Sequence, residues 1–268
     1  MTFELGPALL FCPADRPERF QKAFERADAI ILDLEDAVLP AAKDAARRNV
    51  IEADVDPDRV IVRVNAPDSD AFAADLAALA KTEFRTVMVA KTESAESLSA
   101  FDERYSLIAL CETARGIHAA DGIAAHPQVS ALMWGAEDLV ASLGGTSSRS
   151  AGGSYRDIAR YARARVLLES GAHGKAAIDA VHIDIDDVEG LRDEAIDAAA
   201  SGFGATACIH PNQVATIRAA YRPDEATVRW AHAVLAAAEA ERGVFRFEGR
   251  MIDEPVLRHA RSLVYRAG

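Results

Sequence analysis

A (β/α)₈ barrel with a C-terminal helical extension is the fold class this sequence predicts, and three observations lead to it. Eight short apolar runs alternate with amphipathic helical patterns between residue 8 and about residue 220, which is the count and length of a (β/α)₈ barrel. Most of the runs are continuously apolar, as strands are when a parallel sheet is buried on both faces. The turn after the first run, Cys12-Pro13-Ala14-Asp15-Arg16-Pro17, contains no glycine. A doubly wound open sheet, the alternative, normally carries a glycine-rich phosphate turn there.

The expected strands are Ala8–Phe11, Ala29–Asp33, Val60–Asn65, Thr86–Ala90, Ser106–Cys111, Ala131–Trp134, Ala180–Ile183 and Ala205–Ile209. After the first strand, Phe20, Ala23, Phe24 and Ala27 fall on one helical stripe, the spacing of a helix with one buried face. Asp15 is placed to cap that helix, with Pro17 in its first turn. Phe72, Leu76 and Leu79 repeat the stripe after the third strand, and helices are expected over Thr113–Ala125 and Glu189–Ala200. Gly144–Gly153, rich in Gly and Ser, reads as a mobile loop after the sixth strand. The last segment breaks the repeat: a helix from Asp224 to Arg242, an arm Gly243–Gly249 and a further helix from Pro255. The expected division is a barrel over 1–222 and a C-terminal lid over 223–268.

The bulk composition narrows the function. The chain has 268 residues, 50% hydrophobic and 27% charged, an ordinary globular balance with ample length for a large core. The net charge is −12, from 42 acidic and 30 basic residues, and no basic stripe stands out. A nucleic-acid partner is not expected, because phosphate binding needs concentrated Lys and Arg. Cys12, Cys111 and Cys208 lie in or beside apolar runs without metal-ligand spacing, which fits reduced core thiols in the cytoplasm. The apolar runs are strand-sized, and the sequence shows neither a membrane span nor a signal peptide.

In this fold, chemistry collects where strands end. The expected strand ends carry Asp33, Glu35 and Asp36, Arg63, Lys91, Glu112, Glu137 and Asp138, Asp184, and His210. Converging carboxylates repel one another unless a cation sits among them. Oxygen ligands without a His or Cys pair point to Mg²⁺, with Mn²⁺ as the alternative, and Glu112 with Asp138 form the natural ligand pair. Each of the two also has a bland alternative as a helix cap. Arg63 lies in an apolar strand and has two readings, an ion pair with Asp33 or Glu35 and a fork for a substrate carboxylate. Lys91 reads as an electrostatic partner of the acidic ring in preference to a Schiff-base lysine. His210 reads as a hydrogen-bonded histidine in preference to a ligand. Arg16, Arg19 and Lys22 form either a solvated helix face or a contact for a phosphate-bearing cofactor. Asp253, taken alone, is an acidic residue in a tail loop.

Several segments resemble, in register, the citrate lyase β-subunit-like family of acyl-CoA lyases, and most closely its stand-alone mycobacterial type. They are Leu10–Phe20, Ile31–Val38, Val62–Asn65, Glu112–Ala114, Trp134–Leu139, Cys208–Gln213 and Phe247–Asp253. Two departures are Ala14, where glycine is common, and Ala90 before Lys91, where proline is common. The resemblance implies a Mg²⁺-dependent lyase with coenzyme A as part of its substrate. It implies Glu112 and Asp138 as metal ligands, Arg63 on the keto-acid carboxylate, and Glu35 and Asp36 reaching the metal through water. It further implies the backbone at Gly135 and Ala136 on the carboxylate, Arg16 and Lys22 facing the CoA phosphates, and Asp253 supplied by the lid of a neighbouring subunit. A homo-oligomer follows from that last role, with a trimer favoured. The partners would be a small acyl-CoA and an α-keto acid, with citramalyl-CoA or malyl-CoA as the cleaved substrate.

Three rivals remain at this point. A class II pyruvate aldolase would need a histidine base early in the barrel, whereas the first histidine here is His118. A citrate lyase β-type subunit would act on an acyl-carrier-protein thioester. A catalytically dead barrel would have no reason to keep the full set of site residues.

Overall fold

The computed structural model describes residues 3–241 and 243–267. The chain forms two compact units, residues 1–217 and 218–268, and the boundary falls five residues before the expected one.

The first unit is a closed eight-stranded parallel barrel with strand order β1 to β8. The strands are β1 Ala8–Pro13, β2 Ala29–Asp33, β3 Val60–Val64, β4 Thr86–Val89, β5 Ser106–Cys111, β6 Val129–Trp134, β7 Ala176–Asp179 and β8 Ala205–Cys208. Around them lie α1 Phe20–Arg26, α2 Lys43–Ile51, α3 Phe72–Leu79, α4 Ala114–His118, α5 Ala120–Ala124, α6 Ala136–Ser142, α7 Asp157–Ala172 and α8 Val188–Ser201. A 3-10 turn, Glu96–Ala100, stands where a helix would follow β4. The helix α9, Gln213–Tyr221, contains the boundary between the units.

The continuous apolar runs form strands because both of their faces are covered, and every residue of β2 is buried. Side chains alternate in direction along a strand, so one residue in two points into the barrel. Ala29 and Ile31, Ile61, Ile108 and Leu110, Ala131 and Met133, and Ala205 and Ala207 fill that interior. The same alternation sets what stands at the mouth. Asp33 follows Ile31, Arg63 follows Ile61, Glu112 follows Leu110 and Gly135 follows Met133, each two residues on.

Three local expectations are corrected. The seventh strand is Ala176–Asp179 and not Ala180–Ile183, because its pairing with β8 runs through Ile178 and Asp179. Asp184 is therefore exposed and lies beyond the strand end. Asp15 caps nothing: Arg16 holds the N-cap position of a 3-10 turn, Pro17–Arg19, without a side-chain hydrogen bond. The helix expected over Thr113–Ala125 is two short helices, α4 and α5, that meet at Ala119. Thr113 caps the first of them through the Gly116 N–H.

The Gly/Ser-rich stretch is an exposed loop between α6 and α7, tied down near its ends. Arg149 pairs with Glu194 and stacks over the Tyr155 ring at 3.9 Å, while Ser148 donates to Glu137. At the end of α8, Gly202 turns left-handed with φ 111°, a conformation that a side chain would strain.

The second unit is helical with a small hairpin. It holds α10 Glu225–Ala240, β9 Phe245–Phe247, β10 Arg250–Ile252 and α11 Glu254–Ala267. Asp224 caps α10 by accepting the Thr227 N–H at 2.7 Å. Ala231, Val234, Ile252, Ala260 and Leu263 form its own small core. Arg242, the expected end of the first tail helix, lies outside the described residues. Among the described residues no helix is long and apolar enough to cross a membrane.

Candidate active site

A cavity of about 200 Å³ opens at the carboxyl ends of the strands. Arg63, Glu112, Gly135, Ala136 and Asp138 line it together with Asp33 and Glu137, and Phe11, Leu110, Met133, Val181 and Ile209 form its apolar wall. Five of the expected site residues thus converge there.

Arg63 stands beside Asp33 in the β2–β3 register. Its Nε and Nη2 donate to the two Asp33 carboxylate oxygens, each at 2.7 Å. Its Nη1 lies 3.2 Å from Glu35 Oε2, and its guanidinium sits 4.8 Å from the Phe11 ring centre. Burial alone would lower the arginine pKa, but the Asp33 carboxylate reverses that and raises it. The ion-pair reading of Arg63 is therefore realised, and the clamped Arg63 lines the cavity. Asp33 also accepts the N–H groups of Glu35 and Ala37 at 2.8 and 3.2 Å, so it organises the whole turn after β2.

Glu112 is 2% exposed. Its Oε1 accepts the Lys91 backbone N–H at 3.0 Å. Lys91 adopts φ 48°, which is rare for a side-chain-bearing residue and turns that N–H towards the glutamate. Glu112 also packs on Gly135 so closely that a Cβ there would lie 2.8 Å from its Oε2. Burial, and then the charge of Asp138, push the Glu112 pKa up to about 8 against the pull of Arg63 and Lys91. Asp138, in the first turn of α6, has a 39% exposed side chain, and the Lys91 ammonium lies 3.7 Å from it.

Lys91 Nζ donates to Glu35 and, at 3.0 Å, to Asp36. Burial disfavours the lysine charge, but these carboxylates outweigh it and hold Lys91 protonated well above the usual range. That fits its electrostatic reading, because a Schiff-base lysine must lose its proton. Burial raises the pKa of Glu35 despite Arg63 and Lys91. For Asp36 burial is overcome by the Lys91 hydrogen bond and charge, and the pKa falls.

The donor set fits a hard divalent cation. A buried carboxylate crowded by a second one is relieved by positive charge, and the lining of the cavity holds neither His nor Cys among the described residues. Oxygen-only ligands suit Mg²⁺ or Mn²⁺. Glu112 and Asp138 are the residues that would hold it.

Other expected residues stand elsewhere. Arg16 and Lys22 are exposed and do not line the cavity. Asp253 belongs to the second unit, where it accepts the Val256 N–H at 3.3 Å and caps α11. His210 accepts the Asn212 N–H through its ring and lies outside the cavity lining. Sequence reasoning offered Asp33 and Glu35 alike as ion-pair partners of Arg63, but missed that Asp33 also accepts the Glu35 and Ala37 N–H groups. It also missed Asp179, which is buried and takes Trp134 Nε1 at 2.7 Å and Arg163 Nη2 at 2.8 Å. No local signal marks that network, since its members are 45 and 16 residues apart in sequence. A larger hollow of about 600 Å³ lies at the amino ends of β5 and β6, beside Arg104 and His126, opposite the end where barrel chemistry takes place.

The fold and this mouth define a class, the barrel enzymes that stabilise charge next to a carbonyl with carboxylates, an arginine and a divalent cation. Residues 8–211 match the model of the HpcH/HpaI aldolase/citrate lyase family. A citrate lyase subunit beta-like protein of Mycobacterium tuberculosis is 54% identical over 98% of this chain and 96% of its own. The mitochondrial citramalyl-CoA lyase of Homo sapiens is 31% identical over 96% of this chain and 84% of its own. The crystal structure of CitE from Mycobacterium tuberculosis with magnesium, acetoacetate and coenzyme A superposes with a TM-score of 0.93, 54% identity and 98% coverage of both chains. The chain belongs to the HpcH/HpaI aldolase/citrate lyase family and is a carbon–carbon lyase.

Proposed function

We propose that this Mg²⁺-dependent, CoA-linked lyase cleaves, or in reverse forms, the C–C bond of a carboxylated 3-hydroxyacyl-CoA such as citramalyl-CoA or malyl-CoA. The products of cleavage are acetyl-CoA and an α-keto acid. The observation that carries this is Glu112, buried and pushed up to about 8 beside Asp138, in one cavity with Arg63. The complex of the mycobacterial relative with magnesium, acetoacetate and coenzyme A supports it.

Glu112 and Asp138 would hold the cation, which when bound would supply Lewis-acid stabilisation of negative charge on the keto-acid oxygen. Asp33 fixes the plane of the Arg63 guanidinium, and the in-plane Nη N–H groups that Asp33 does not take would donate to the carboxylate beside the hydroxyl. The backbone at Gly135 and Ala136 takes the same carboxylate from the other side. Glu35 and Asp36 would reach the cation through water, and either Glu35 or a water would take the hydroxyl proton. The C–C bond then breaks, its electron pair passes to the acetyl-CoA enolate, and the keto acid leaves. Asp253, brought by a neighbouring subunit of a homo-oligomer, with a trimer favoured, delivers a proton to the enolate carbon. Arg16 and Lys22 meet the CoA phosphates. The cytoplasm suits a chain whose three cysteines are all buried.

The test is incubation of purified protein with citramalyl-CoA, malyl-CoA and 3-hydroxy-3-methylglutaryl-CoA, with Mg²⁺ and then with EDTA. Acetyl-CoA and a keto acid that vanish with EDTA are the expected result. Cleavage of none of the three would reject this substrate class in favour of an acyl-carrier-protein thioester or of pyruvate-aldolase chemistry.

A further inference from the structure

Lys43, the first residue of α2, turns its ammonium inward. Nζ donates to Leu34 O at 2.8 Å, Glu35 O at 3.0 Å and Asn65 Oδ1 at 2.8 Å. An ammonium has three N–H groups, so its donors are fully used, and every acceptor lies just beyond β2 or β3. Asn65 extends the network: its Nδ2 donates to Leu34 O at 2.9 Å and to Asp75 Oδ2 at 2.6 Å. Asp75 is fully buried and takes Arg47 Nε at 2.7 Å. The two carbonyls that Lys43 holds belong to the turn that carries Glu35 and Asp36, and these carboxylates in turn meet Arg63 and Lys91.

The opposite end of β2 supplies a matched case. Arg59 donates to the carbonyls of Asp28, Phe24 and Ala27 at 2.8, 3.0 and 2.7 Å. Each end of the strand is thus closed by a cation bonded to neighbouring oxygens. Only at the Lys43 end do the clamped residues carry mouth carboxylates.

We propose that Lys43 is a positioning residue for the divalent-cation centre, fixing the Leu34–Asp36 turn so that Glu35 and Asp36 stand where bound cation needs them. This rests on Glu112 and Asp138 holding Mg²⁺, as proposed above. The sign of the effect separates positioning from charge. Removing a lysine from an acidic mouth tightens a cation if charge alone matters, and weakens it if geometry matters.

Mg²⁺ alone is titrated calorimetrically into the full-length wild type, Lys43→Met and Arg59→Met, with thermal melts of each. Positioning predicts about ten-fold weaker Mg²⁺ binding in Lys43→Met, with Arg59→Met melting lower but binding as wild type does. Unchanged or tighter binding in Lys43→Met overturns the proposal, and so does equal weakening in both variants, which marks a general loss of stability. If Lys43→Met does not fold, Lys43→Gln keeps two donors and is expected to bind about three-fold more weakly, with unchanged affinity again overturning the proposal. A wild type that binds no Mg²⁺ rejects the metal assignment itself, and the proposal falls with it, an outcome distinct from wild-type binding that Lys43 does not affect.

Discussion

The two ends of β2 and β3 use the same kind of cation for different ends. At the amino end Arg59 bonds three neutral carbonyls and lies 4.1 Å from the Phe24 ring centre. At the carboxyl end Asp33, Glu35, Asp36, Glu112 and Asp138 gather around Arg63 and Lys91. The amino end satisfies its charge with dipoles and needs nothing further. The carboxyl end holds more carboxylates than cations, an arrangement that costs stability by itself and makes sense only with a cation and a polar ligand to complete it. Within one scaffold, a closed set of interactions marks structure and an open set marks function.

The largest test of this contrast is Asp138→Ala. It removes a proposed cation ligand that would support several kcal/mol of charge stabilisation, so turnover with Mg²⁺ is expected to fall by about 10³-fold. Unchanged activity in a steady-state assay would break the assignment. Arg63→Met leaves Asp33, 1% exposed, without its partner. A loss of about 3–5 kcal/mol in denaturant unfolding is expected, together with loss of keto-acid binding.

The pH dependence is the third test. Burial, and then Asp138, push the Glu112 pKa up to about 8, against 4.5 for an unperturbed glutamate. The folded pKa is raised, so folding retains a proton that the unfolded chain releases. This contribution to stability is full below pH 4.5 and is lost as pH rises to about 8. Mg²⁺ displaces that proton, so its affinity is expected to climb about ten-fold per pH unit up to roughly pH 8 and then level. Calorimetry in buffers of different ionisation enthalpy would detect the released proton, and a pH-independent affinity would sink the idea.

Smaller effects sharpen the picture. Gly135→Ala puts a methyl 2.8 Å from Glu112 Oε2, and Mg²⁺ half-saturation is expected to rise about ten-fold. Arg59→Met is expected to lose about 2–3 kcal/mol of stability with kcat untouched. A change in kcat there would mean that the two ends are not independent.

Much of this was readable along the chain. Runs such as Ala29–Asp33 announce buried strands because hydrophobic burial acts residue by residue and the backbone repeats every two positions. The seventh strand was misplaced because Ala176–Ile183 is one largely apolar stretch, within which only the pairing of Ala176–Ile178 with β6 and of Ile178 and Asp179 with β8 selects the strand. Arg63, Glu112 and Asp138 were legible as strand-end residues, and they share a cavity. The exposed Arg16 and Lys22 stand apart from it.

By itself, then, the sequence determined the barrel, the end at which chemistry collects and the kinds of group found there, because these follow from local periodicity and from the direction of the strands. Tertiary structure alone decided which charges meet. Asp33 clamps Arg63 because the β2–β3 register sets them side by side, Lys43 spans 22 residues to reach Asn65, and Glu112 becomes a weak acid only where burial and Asp138 act on it together. Hydrogen bonds and charges act through space, and a one-residue slip of β2 or β3 would turn Asp33 or Arg63 to the other face of the sheet.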